Sequence, residues 1–115
     1  MSVAAPNAAA FFIEAKQEGA VWTVRDNHGF PAPMNGDGKR SQPFWSKESR
    51  AMKVVSSSLA YQGFSLHRIE LSNFMDRWLS GLKSEGFLVG INWAGERATG
   101  YDLDPSVVRK RLGMN

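Results

Sequence analysis

Phe87-Leu-Val-Gly-Ile-Asn-Trp93 decides the fold. The run is apolar on both faces at its start, so it reads as a strand covered on both sides and central in its sheet. Gly86 stands before it as a helix-ending C′ glycine. The helix it ends opens with Ser72 as N-cap and turns Phe74, Met75, Trp78, Leu79 and Leu82 inward. Gly81 inside that helix costs about 1 kcal/mol against alanine, which predicts a close packing partner there. On the other side, Thr99–Leu103 reads as a short strand, and Asp104-Pro105 is an N-cap followed by an N1 proline. That pair opens a last helix, which ends at Gly113.

Towards the N-terminus, residues 8–18 predict a helix with Ala8, Phe11, Phe12 and Ala15 on one face and Gly19 closing it. Residues 20–25, rich in β-branched and aromatic side chains, predict a strand, and residues 28–39 a loop. Residues 41–45 form a short extended piece; Pro43 cannot donate to a ladder, so the piece is an edge strand or barely a strand. Ser46 caps the next helix, whose inward stripe is Ala51, Val54, Val55, Ser58 and Leu59. Residues 64–71 complete the pattern as a strand. The order α-β-β-α-β-α-β-β-α predicts one α+β domain over residues 1–115, with residues 1–7 frayed. It has a mixed sheet of about four to five strands with about four helices packed on it.

The 115 residues include no cysteine and only His28 and His67, and the formal charge is +3. Disulfides, thiolate metal sites and thiol nucleophiles are excluded, and a reducing compartment, the cytoplasm, is predicted. The N-terminal residues carry no basic side chain, and Pro6 and Asn7 break their apolar run, which argues against a secretion signal. No apolar stretch approaches the roughly 20 residues a membrane span needs.

Candidate chemistry is sparse. Asn35-Gly-Asp-Gly-Lys-Arg40 lacks the spacing of a phosphate loop and the oxygen ligands of a calcium loop, and reads as a turn. The two histidines lack paired spacing, so no metal or cofactor is expected. Ser56-Ser-Ser58 has no nucleophile elbow around it. Asp104 is an N-cap and Asp102 an exposed strand-end charge, so the reading leans away from an enzyme. Arg109-Lys-Arg111 falls in a last helical turn, where cations offset the helix dipole, and basic residues do not interleave with aromatics. Both observations argue against nucleic acid, which ranks third among the functions considered. Trp22 and Trp78 belong to apolar patterns and go to the core. Trp45 and Trp93 sit where the chain changes direction, near Arg50, Asn92 and Arg97, so these five residues are the candidate binding site.

Val21-Trp22, Gly29-Phe30-Pro31, Pro43-Phe-Trp-Ser46, Trp78-Leu-x-Gly-Leu82 and Leu88-Val-Gly-Ile-Asn-Trp93 occur in one order. In this the chain resembles the bacterial family known as domain of unknown function 2750, over residues 11–108. The resemblance implies a small bacterial α+β domain and carries no catalytic residue. The Pro-Phe-Trp-Ser segment and the helix after it are also similar to the N-terminal domain of SseB-like proteins. Small proteins of this general kind are often immunity or adaptor proteins, which suggests by analogy a protein-binding module. The alternative is a small-molecule or metabolic domain with a cleft near Trp45, Arg50 and Trp93. The partner expected is another protein rather than a membrane. The chain is read as a monomer, or as a homodimer joined through the Pro43 edge strand.

Overall fold

The structure is a computed structural model describing residues 4–113. Helix α1 (Ala4–Glu18) buries Ala8, Phe11, Phe12 and Ala15, the face its spacing predicts. It ends at Gly19, whose φ of 67° is the left-handed turn that hands the chain to β1 (Ala20–Arg25). Then come β2 (Ser41–Phe44), α2 (Glu48–Ser57), a 3₁₀ turn (Leu59–Tyr61) and β3 (Ser65–Glu70). Three consecutive helical stretches, Leu71–Asn73, the π-turn Phe74–Trp78 and Leu79–Glu85, form α3 over residues 71–85. The chain continues as β4 (Leu88–Ala94), β5 (Thr99–Leu103) and α4 (Pro105–Leu112). Asp104 caps α4 by accepting the Ser106 N–H at 2.8 Å. The architecture is the predicted α+β mixture in the predicted order.

β1 pairs antiparallel with β3, while β2, β4 and β5 form a second sheet with β4 in the middle. β2 runs parallel to β4, and β5 antiparallel to it. Trp22 and Trp45 join the two sheets by exchanging backbone N–H···O bonds of 2.8 and 2.7 Å. Antiparallel alternation makes Val24 and Pro43 the next bonded pair, and Pro43 has no N–H to give. The ladder stops there, and Thr23 Oγ1 donates to the Pro43 carbonyl at 2.8 Å instead. So β2 is the end strand of its sheet, as Pro43 predicts, but its outer side is covered by β1 and all four of its residues are buried. Among the described residues, β3 and β5 are the remaining end strands.

Alternation along the strands feeds a core on each face. On one, Val21, Phe44, Val89 and Ile91 meet α1, α3 and α4. On the other, Trp22, Trp45 and Trp93 meet Ala51 and Val54 of α2.

Local readings fail where a tertiary partner takes the side chain. Ser46 does not cap α2: Lys47 holds that position without a side-chain bond, and Ser46 is turned inward. Ser72 lies within the first turn of α3, behind Glu70. α2 stops at Ser57, so the inward stripe ends early and the 3₁₀ turn throws Leu59 out to 82 % exposure. Gly81 has no close neighbour, and Trp78 is half-buried rather than core.

Candidate functional site

A bulge in β4 builds the candidate site. Ile91 is opposite Tyr101 and Ala94 opposite Thr99, so Asn92 and Trp93 together face Gly100. Asn92 takes the left-handed conformation this requires, with φ of 46°. Asparagine tolerates that region better than most side chains.

The bulge sends two side chains to different work. Asn92, buried, accepts the Ser46 N–H at 2.9 Å on Oδ1 and donates through Nδ2 to the Asn7 carbonyl and to Ser46 Oγ. Trp93, also buried, lies across the bare backbones of Gly90 and Gly100 and donates its indole N–H to the Tyr101 carbonyl at 3.2 Å. Beneath it the Trp45 indole donates to the Trp93 carbonyl at 2.7 Å. Trp45 is fully buried, so it supports the site from below and offers no surface of its own.

Ser46 extends the network. Its hydroxyl donates to Glu14 Oε1 at 2.7 Å, and Glu14 receives Arg50 Nε and Nη2 at 2.8 and 2.9 Å in a two-pronged ion pair. The Arg50 hydrogen bonds are the largest influence on Glu14; they outweigh its partial desolvation and hold its pKa below the ordinary carboxylate value. The same bonds raise Arg50. Helix α1, the β2–α2 junction, α2 and the β4 bulge are thereby tied at one point.

Above this network opens a cleft of about 510 Å³, walled by Arg50, Lys53 and Val54 on α2 and by Asn92, Trp93 and Glu96 on the β4–β5 side. Three of the five predicted site residues, Arg50, Asn92 and Trp93, therefore share one cleft. Arg97 lies outside it, in an adjoining groove with Leu59 and Ala60; Ser57 and Glu96 line both.

Sequence reasoning missed Asn7, Glu14, Ser46 and Lys53. A signal existed for two of them: Asn7, Phe11 and Glu14 stand at i, i+4 and i+7 along one stripe of α1. Ile13 beside them is 62 % exposed while the Glu14 side chain is 17 % exposed, an inversion of polarity that marks a partnered acid.

The remaining polar groups have structural occupations. Asp102 is no idle strand-end charge: it accepts Ser41 Oγ at 2.9 Å and Asn35 Nδ2 at 3.2 Å, pinning the 35–40 turn to the sheet. Arg109 donates to the Met75 carbonyl, Lys83 to Ser106, and the Arg111 guanidinium sits 3.9 Å from the Phe12 ring centroid. Most of that basic cluster is thus spent on packing α4. His67 stacks edge-on with Phe30 and packs near Trp78. Among the described residues no three metal-binding side chains gather, and no helix is long and apolar enough to cross a membrane.

A family model described as a protein of unknown function (DUF2750) matches residues 8–112. No curated protein and no solved structure matches the chain. The likeness to SseB-like N-terminal domains has no support among these findings.

Proposed function

The chain belongs to the DUF2750 family, and from that premise we propose that it is a protein-binding domain of the bacterial cytoplasm, immunity- or adaptor-like and without catalysis of its own. One observation carries this reading. The Arg50–Trp93 cleft and the Arg97 groove adjoin through Ser57 and Glu96, and Leu59 stands 82 % exposed in the Arg97 groove. A cleft with a fixed Arg50 and a Trp93 wall, continuous with a groove that carries Arg97 and an exposed leucine, is the composition of a docking surface, where a few Trp and Arg anchors carry most of the affinity. The zero-cysteine composition accords with a reducing compartment.

The test uses the full chain and its Leu59→Asp and Arg97→Glu variants as bait in lysate of the host. A protein retained by the parent chain and lost with both variants, at unchanged melting temperature, supports the reading. Capture indifferent to both substitutions sinks it.

A second reading, a small-molecule site, is favoured by the cleft volume of about 510 Å³. That lies within the roughly 300–1,000 Å³ usual for ligand pockets. A metabolite that raises the melting temperature by mass action, with no protein captured, would select it.

A further inference from the structure

We propose that the cleft is a carboxylate site in which Arg50 takes an acidic side chain of the protein partner; the inference rests on the binding reading above. Glu14 occupies the Nε–Nη2 edge of the guanidinium with bonds of 2.8 and 2.9 Å, and Ser46 in turn holds Glu14 at 2.7 Å. Asn7 Oδ1 stands 3.5 Å from Nη1. These contacts engage three of the five guanidinium N–H groups and leave one hydrogen on Nη1 and one on Nη2 for a ligand. Two free donors on one guanidinium suit the two oxygens of a carboxylate.

The surroundings favour the same ligand. Because Glu14 holds Arg50 from one side, the guanidinium is oriented before anything binds, and little side-chain entropy is left to lose. Lys53, exposed one turn further along α2, adds a second cation to the same wall. Trp93, Val54 and Ala94 supply apolar walls, which strengthen a charge-assisted bond by keeping water from it. Glu96 on the opposite wall balances Lys53, and Glu14 balances Arg50. The cleft is therefore near neutral at rest, and the shape of the fork adds to the pull of the local charges in selecting a carboxylate. Chloride should not compete.

The experiment titrates the ¹⁵N-labelled full chain with succinate, then with a glutamate-containing peptide and its glutamine counterpart. Succinate is expected to shift the Arg50 Nε–H and the Asn92 and Gly95 amide resonances saturably, with chloride at equal ionic strength leaving them in place. Lys53→Glu should weaken binding about three-fold and Glu96→Gln should tighten it, as expected for single exposed charges near a bound ion. Both side chains are exposed, so neither variant is expected to unfold. Preference for the glutamate peptide over its glutamine counterpart supports a partner's side chain as the occupant. Succinate binding without that preference rules the partner's side chain out and leaves a free acid. No saturable shift with succinate, or affinity indifferent to both substitutions, overturns the site. The binding reading fails separately, through capture that ignores Leu59 and Arg97.

Discussion

The Trp93 indole occupies the space a β-carbon on Gly90 would need: one built there stands 2.4 Å from Trp93 Cε2. Gly100 on the neighbouring strand is equally bare beneath the ring, with a β-carbon 2.8 Å from Cδ1. The bulge that aims Trp93 therefore depends on glycines in two strands. Gly90→Ala is expected to cost about 1–3 kcal/mol by overpacking. That would lower the melting temperature by several degrees for a domain of this size. Trp93→Leu alone should also destabilise, by leaving a void. Combined with Gly90→Ala it should recover part of the loss. A double-mutant cycle by urea denaturation checks this, and strictly additive costs would contradict the contact.

Why this packing escaped sequence reading is a matter of distance along the chain. Gly90 and Trp93 were both legible as members of a central strand, because an apolar run bounded by Gly86 needs no partner to be recognised. β1 was legible likewise, from its β-branched and aromatic composition after Gly19, and β5 as the short stretch before the Asp104-Pro105 helix start. That the indole folds back over Gly90 depends on a register set by β5, which no local pattern encodes. Ser46 shows the complementary failure. A serine before a helix reads as a cap, but here its hydroxyl goes to Glu14, 32 residues away. Arg50, Asn92 and Trp93 were legible as boundary residues of binding type. Glu14, the group that orients Arg50, was hidden among the ordinary charges of an amphipathic helix.

Asn92 separates backbone strain from side-chain bonding. At φ of 46° an alanine would pay for the left-handed conformation as well as for the lost network, whereas glycine would pay for the network alone. Asn92→Gly is therefore expected to be more stable than Asn92→Ala, by about 1 kcal/mol, although both remove the same bonds. In ordinary strands glycine is the worse of the two. Equilibrium unfolding of both variants decides it, and the reverse order would place the strain elsewhere.

Ser58 Oγ is a buried hydroxyl without a hydrogen-bond partner, at the residue that follows the last turn of α2. An orphaned buried polar group costs about 1–3 kcal/mol, so removing it costs nothing and recovers some of that penalty. Ser58→Ala is expected to leave the unfolding midpoint unchanged or raise it. Ser46→Ala should lower it, because that hydroxyl serves Glu14. Calorimetry on the pair contrasts two serines only twelve positions apart. A large loss at Ser58 would mean that its hydroxyl has a partner in solution.

The Glu14–Arg50 pair gives stability a definite dependence on pH. Arg50 holds Glu14 below the ordinary carboxylate value in the folded state, whereas the unfolded chain titrates this group near about 4.3. The folded state thus binds the proton less readily than the unfolded one. The stabilisation is complete above the unfolded value, is lost as pH falls through the folded pKa, and is absent below it. Glu14→Gln should cost about 1–3 kcal/mol near neutral pH, since it removes a charge-assisted, partly buried bond. As the pH falls through the folded pKa the parent chain loses the same charge, so the two stability curves should converge. Urea midpoints across that range test the convergence. A gap that stays constant with pH would mean that the glutamate acts by its shape rather than by its charge, and that Arg50 is oriented by something other than the ion pair.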